Sequence, residues 1–329
     1  MKGEWYSTGI MKLTNTEITK AVAILRAGGL VAFPTETVYG LGGDARNEQA
    51  ILRIFAAKKR PADHPLIVHI ADVSELSEWA CDIPPKALQL AHAFWPGPLT
   101  LILKKAPLAS PLLTGGQETI GVRIPKHPVA QALLQAFGGG VAAPSANQFT
   151  HVSPTTAVAV TSELGDQVDL ILDGGACEGG IESTIFNMSG DQPVILRPGL
   201  ITSLMIERVL GEPIAMKTQT PIRAPGMHAL HYAPRTPTQL VETRDLCSLL
   251  QSLPAGTPVA VMVHSAVILP QLVTLTKVIM SEDASRYAHA LYETLRKLDH
   301  QQFKKIIIEA VPNGELWDAI RDRLTKASH

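Results

Sequence analysis

The chain has 329 residues, more than one hydrophobic core usually organises, so two domains are expected. Apolar residues make up 46% and charged residues 18%, which excludes a largely disordered chain, and apolar runs such as Val259–Val263 fall far short of the roughly 18–20 residues of a membrane-spanning helix. Net charge is −1, with 16 Lys+Arg against 20 Asp+Glu over residues 1–216 and 13 against 10 over 217–329, so neither part carries the basic excess of a bulk nucleic-acid binder.

The first residues lack the apolar stretch of a secretory signal, and Met11 offers a second start. Cys81, Cys177 and Cys247 lie far apart without a CxxC pair, which gives neither a zinc site nor a disulfide framework and fits a reducing, cytoplasmic setting. Asn15 or Thr16 is expected to cap a helix with Ile18, Ala21, Val22 and Leu25 on its apolar face, stopped by Gly28-Gly29. A short buried strand fits 30–33, and the stretch PTETVYGLGGDA (34–45) reads as a strand-to-helix loop. Helices are expected over 48–58 (cap Asn47), 85–95, 128–137, 155–164 and 202–210. Strands are expected over 65–70, 99–104, 119–124, 140–143, 169–173, 183–187 and 193–197. The pattern is α/β: one domain over 1–212 with a large, mixed, twisted sheet.

Residues 213–237 hold five prolines in 25 residues and no helical or alternating period, so an extended linker is expected. Its tip, His228-Ala229-Leu230-His231-Tyr232, lies between Pro225-Gly226 and Pro234, which suits a hinged cover as well as a tether. Strands at 238–242, 259–264, 277–281 and 305–310 then alternate with helices near 244–253, 283–300 and 315–326. This gives a small three-layer, Rossmann-like α/β domain over 238–329, without a GxGxxG fingerprint for a dinucleotide.

There is no Walker loop, no HExxH and no GxSxG. His228 and His231 have i, i+3 spacing but no further ligands, so no metal site is assigned. What remains is a set of polar residues at strand ends. Lys58, Lys59 and Arg60 stand at a helix end before a proline, where they can cap the helix dipole or clamp a polyphosphate. Arg123 lies inside an apolar strand and Arg197 ends another; each needs an anion, whether a carboxylate of the chain or a ligand, and since the sequence shows no obvious neighbouring carboxylate a ligand is at least as good a partner. Ser145 and Asn147 follow small residues, and Ser183-Thr184 open a strand after a glycine-rich stretch. Strand termini are where an α/β sheet forms its binding crevice.

Taken in order, FPTETVYGLG, KKRPADHPLIVHI, FWPGPLTLIL, GVRIPKHP, AAPSAN, ESTIFN and ILRPG resemble the YrdC-like threonylcarbamoyl-AMP synthases. APGMHALHYAP, followed by a small α/β domain, resembles the two-domain form of that family. The resemblance implies conversion of L-threonine, bicarbonate and ATP into threonylcarbamoyl-AMP and pyrophosphate, with Mg²⁺ accompanying ATP. It also implies downstream tRNA threonylcarbamoyltransferase proteins as partners, no membrane, and at most weak contact with tRNA or other RNA. Carried over residue by residue, it assigns threonine to Thr37, His69, Arg123, the Ala143 backbone and Ser183. It assigns ATP to Lys58, Arg60, His64, Thr119, Ser145, Asn147, Ser153, Arg197 and Tyr232, with Lys58 and Arg60 acting on the phosphates. Many relatives have asparagine where His64 stands. No general base is assigned, and Glu36 is expected to be a buried structural acceptor. The alternatives are an RNA-binding or RNA-maturation factor and a carbamoyltransferase-like protein; the latter carries zinc-finger and acylphosphatase modules that three scattered cysteines cannot supply.

Overall fold

The computed structural model describes residues 14–190, 192–216, 221–227, 231–270 and 274–328. In the first part the strands are β1 (Val31–Phe33), β2 (Gly40–Asp44), β3 (Ile67–His69), β4 (Ala80–Cys81), β5 (Leu99–Lys105) and β6 (Thr119–Arg123). They continue with β7 (Val141–Ala142), β8 (Leu170–Ile171), β9 (Thr184–Asn187), β10 (Val194–Arg197) and β11 (Ala215–Met216). They join one mixed sheet in the order β11-β10-β9-β5-β6-β3-β7-β2-β1-β8, with β4 paired to β5 off this path. The central strands are buried along nearly their whole length, which matches their continuous apolar runs.

Three expectations are corrected here. Thr14, one residue earlier than expected, caps helix Asn15–Arg26 through a box with Glu17, whose Oε2 accepts from Thr14 N at 2.9 Å. Residues 40–44, read as loop, form β2 antiparallel to β1. Three of its five residues are glycine, which argues against a strand on propensity. Tertiary packing reverses that: a Cβ on Gly42 would come within 2.8 Å of both Phe33 and Val141, so the absence of a side chain lets β2 fit between its neighbours. The stretch 213–237 is not wholly irregular either, because Ala215–Met216 adds an edge strand parallel to β10.

Where strong caps and an apolar face coincide, the expected helices are found closely: Glu48–Lys58 starts at Asn47, whose side chain accepts from Gln49 N and Ala50 N, and Pro128–Phe137 begins on proline and ends at left-handed Gly138.

The second part has β12 (Thr238–Val241), β13 (Val259–Val263), β14 (Leu275–Ile279) and β15 (Lys305–Glu309) in an all-parallel sheet of order β12-β15-β13-β14. Alternate residues of β13 and β15 face opposite cores. Val259, Val261, Val263 and Ile307 pack with Leu246 and Leu250 of helix Thr243–Ser252. Ala260, Met262, Ile306 and Ile308 pack with helices Ala284–Asp299 and Glu315–Ala327. The second of these cores also takes in Val38, Val152, Ile181 and Tyr232 from the first part and the linker, so an apolar layer joins the two sheets. No helix among the described residues is long and apolar enough to cross a membrane.

Candidate active site

The cleft opens at the ends of β1, β3, β6, β7 and β10 and encloses about 540 Å³ of non-atom space, open solvent at its mouth included. Its wall includes Thr37, Arg60, His69, Arg123, Ala143, Ser145, Ser183, Arg197 and Tyr232, nine of the residues assigned from the sequence. Lys58, Asn147 and Ser153 stand directly behind it: Lys58 Nζ donates to the Ser145 and Asn147 carbonyls, and Ser153 Oγ donates to the wall residue Glu182. His64 lies beyond Arg60, with its ring edge-on to Phe149 at 5.0 Å. Thr119 begins β6, at the opposite end of the strand from Arg123 and outside the cleft lining. His228 lies outside the described residues.

On one side of the cleft, the loop after β1 folds around Thr35. Its Oγ1 donates to Val38 O at 2.6 Å and sits 2.7 Å from Thr37 Oγ1, which fixes the Thr37 hydroxyl. Arg123 closes β6. The expectation that it lacks a carboxylate neighbour is corrected, because its Nη2 donates to Glu36 Oε1 and its Nε to Gly97 O at 3.2 Å. Glu36 Oε2 accepts from Lys126 N at 2.8 Å, so both carboxylate oxygens of Glu36 are engaged and it serves as a structural acceptor. A guanidinium has five N–H donors in a fixed fork, and those left over can meet a further carboxylate. Burial, and then the Arg123 charge, push the His69 imidazole down to about 3, so the ring is neutral, and its buried Nδ1 has no hydrogen-bond partner among the described residues. Ser183 Oγ lies 2.8 Å from Thr100 Oγ1 and accepts from Arg197 Nη2 at 3.2 Å.

The other side is cationic. Lys58 ends helix Glu48–Lys58, Lys59 turns the chain with φ 53°, and Arg60 follows, its Nη2 donating to Pro65 O at 2.9 Å. Arg197 donates to Ser183 O at 2.9 and 3.1 Å and to Pro225 O of the linker at 3.1 Å. Among the described residues, Lys58, Arg60 and Arg197 are all buried, and each is held by carbonyls or a hydroxyl without a carboxylate in reach. Burial, and then the neighbouring Arg60 charge, hold the Lys58 ammonium well below its ordinary range, while burial lowers Arg60 to about 10. Three buried cations without fixed anions are costly in a protein interior and call for an anionic ligand.

Unpartnered polar atoms point the same way. Arg60 Nε, His69 Nδ1, Asn147 Oδ1, His231 Nδ1 and Tyr232 OH are buried and lack a hydrogen-bond partner among the described residues. Five such atoms around one cleft match a site built to meet a polar ligand. Tyr232 takes a left-handed φ of 61°, unusual for a bulky residue, and a Cβ on Gly226 would meet its hydroxyl at 2.1 Å. Glu182 and His231 also line the cleft, and neither was assigned a ligand contact from the sequence. Glu182 was readable only as the residue before Ser183 in ESTIFN, and His231 only as the residue before Tyr232.

No cysteine is in the cleft lining, and the Cys177 thiol is buried and raised far above its ordinary range by that burial. Among the described residues no cluster of three or more His, Cys, Asp or Glu could cage a metal ion. The arrangement suits the orientation and neutralisation of anions.

Comparisons with known proteins agree in both parts of the chain. Residues 23–199 match the family model described as telomere recombination, Sua5/YciO/YrdC, and residues 201–329 match the model of the threonylcarbamoyl-AMP synthase C-terminal domain. Threonylcarbamoyl-AMP synthase of Bacillus subtilis is 40% identical, over 98% of this chain and 95% of its own length. That of Pyrococcus abyssi is 38% identical, over 96% and 95%. A crystal structure of P. abyssi Sua5 complexed with L-threonine superposes with a TM-score of 0.87 at 36% identity, covering 96% of this chain and 95% of that one. The chain belongs to the Sua5/YrdC family of threonylcarbamoyl-AMP synthases.

Proposed function

We propose that this protein joins L-threonine, bicarbonate and ATP into threonylcarbamoyl-AMP and pyrophosphate, for threonylcarbamoyladenosine formation in tRNA. The observation that carries the reading is the pairing of two subsites at one cleft: Arg123 with neutral His69, and the wall cations Arg60 and Arg197 with Lys58 behind them, these three without salt-bridged carboxylates among the described residues.

Threonine binds at Thr37, His69, Arg123, the Ala143 backbone and Ser183, its carboxylate on the Arg123 fork. ATP binds along Lys58, Arg60, Ser145, Asn147, Ser153 and Arg197, with Tyr232 over it and His64 and Thr119 as outer contacts. The threonine ammonium and bicarbonate give a carbamate, one water and one proton. A carbamate oxygen then attacks the α-phosphorus, and the bond to the β-phosphate oxygen breaks as pyrophosphate leaves. Lys58 and Arg60 neutralise the charge that develops on that leaving group. The carbamate decays in water, so orientation and exclusion of solvent are the protein's main contributions. Pro225, Gly226, His231 and Tyr232 belong to the cleft wall, which supports residues 213–237 as a cover between a catalytic unit (1–212) and a second unit (238–329).

Among the described residues no carboxylate cage offers itself to Mg²⁺, Glu36 and Glu182 both being engaged by arginines, so we assign it to the phosphate oxygens of ATP. We assign the protein to the cytoplasm and its product to tRNA threonylcarbamoyltransferase proteins, with weak direct contact to tRNA at most. Pyrophosphate release measured without RNA tests the reading: it must require L-threonine and bicarbonate together. Release that is independent of threonine, or that appears only with RNA, overturns it.

A further inference from the structure

Glu182 stands in the cleft wall, yet its carboxylate is not held by the cations of the cleft. Oε1 accepts from Ser153 Oγ at 2.5 Å, and Oε2 accepts from Arg323 Nε at 2.8 Å and from Tyr292 OH at 2.9 Å. Two of these three donors come from the second domain, Arg323 on helix Glu315–Ala327 and Tyr292 on helix Ala284–Asp299. The Arg323 side chain is fully buried, and its Nη1 also donates to Pro198 O at 3.0 Å and to Asp322 Oδ2 at 2.7 Å. Its guanidinium lies 5.0 Å from the centre of the Tyr232 ring, which stacks on Tyr292 at 5.9 Å.

The charges of the cleft explain why this pairing matters. Among the described residues Glu182 is the carboxylate of the cleft wall, and Glu36, between the wall residues Thr35 and Thr37, is taken by Arg123. A buried carboxylate left unpaired is costly, so without Arg323 Glu182 would draw on Arg197, Arg60 or Lys58 and would repel an incoming polyphosphate. We propose that Arg323 is a positioning residue for ATP: by pairing with Glu182 from the second domain it keeps the three cations free for phosphate and holds the Tyr232 ring in place. The second domain is then part of the nucleotide site although it lends no residue to the cleft lining.

The inference rests on ATP occupying this cleft, a reading tested separately by the substrate requirements of the unaltered enzyme. Steady-state kinetics of Arg323→Met, Glu182→Gln and the double variant in the full chain test the inference itself. Arg323→Met is expected to raise the KM for ATP by at least about tenfold, because the uncompensated Glu182 meets a polyanion. The KM for threonine, whose zwitterion carries no net charge, and kcat are expected to stay within about threefold. Adding Glu182→Gln removes the offending charge and is expected to return the KM for ATP to within about threefold of the parent. An unchanged KM for ATP in Arg323→Met, or a double variant no better than the single one, overturns the proposal and leaves a purely structural interdomain pair. If Arg323→Met does not fold, Arg323→Gln, which removes the charge but can still donate to Glu182 Oε2, is read in its place: a rise of at least about tenfold in the KM for ATP with the KM for threonine within about threefold supports the proposal, and an unchanged KM for ATP overturns it.

Discussion

Replacing Lys58 with methionine removes the ammonium and keeps most of the stem. The residue is 1% exposed and reaches from the end of helix Glu48–Lys58 to the carbonyls of Ser145 and Asn147, so it braces the loop after β7 from directly behind the cleft wall. Its loss leaves two carbonyls short of a donor, at about 1–3 kcal/mol each, and relieves a buried ammonium whose desolvation costs several kcal/mol. These terms oppose one another, so stability is expected to fall by no more than about 2 kcal/mol. The effect on turnover has no such offset. A contact that neutralises charge on the departing pyrophosphate is worth about 3–4 kcal/mol in the transition state, or 10²–10³ in kcat, whereas a cation that only caps a helix is worth about 0.3–1 kcal/mol of stability and nothing in kcat. Threonine- and bicarbonate-dependent pyrophosphate release, read beside a thermal melt, separates the two roles. A folded Lys58→Met enzyme within about threefold of the parent kcat would refute the phosphate role.

Burial holds three imidazoles below their ordinary range, His69, His127 and His231, and His69 drops from 6.5 to about 3 on burial beside Arg123. Between those values the unfolded chain binds more protons, so stability is complete above pH 6.5 and declines as pH falls towards 3. Urea titrations across that window should show the decline, and His69→Asn should make it shallower, His127 and His231 supplying the remainder; an unchanged slope would mean that His69 is not buried neutral. Serine should be a poorer substrate than threonine by about fivefold to tenfold in kcat/KM, the value of one methyl buried near Val38 and Ile67. Arg123→Ala should raise the KM for threonine more than that for ATP, and equal effects on both would contradict the assignment. A chain ending at residue 212 should melt lower and lose most of its synthesis, because Val38, Val152 and Ile181 lose their cover and Glu182 loses Arg323; full activity of that fragment would reduce the second domain to an appendage.

Local chemistry made much of the architecture readable. Asn47 as a cap, Pro128 at a first helical position and the apolar runs of β5, β13 and β15 carry their structure in a few adjacent residues. β2 did not, because its glycines are required by Phe33 and Val141, neighbours contributed by other strands. The site divides in the same way. Lys58, Arg60 and Arg197 stand out as cations at the ends of apolar elements, but the partners of Arg123 and Glu182 do not. Glu36 is 87 residues from Arg123, and Glu182 is 141 from Arg323, separations over which spacing holds no signal. Which cations are already paired, and which are left for a ligand, is therefore visible only in the folded chain.

The central claim is that bicarbonate carbon ends up in an adenylate through attack on the α-phosphate of ATP. Incubating the enzyme with ¹³C-bicarbonate, L-threonine and ATP, quenching rapidly and resolving the products by mass spectrometry tests this directly. The account predicts a ¹³C-labelled threonylcarbamoyl-adenylate formed together with an equal amount of pyrophosphate and no ADP. Formation of ADP and inorganic phosphate, or of an adenylate without the label, would contradict it.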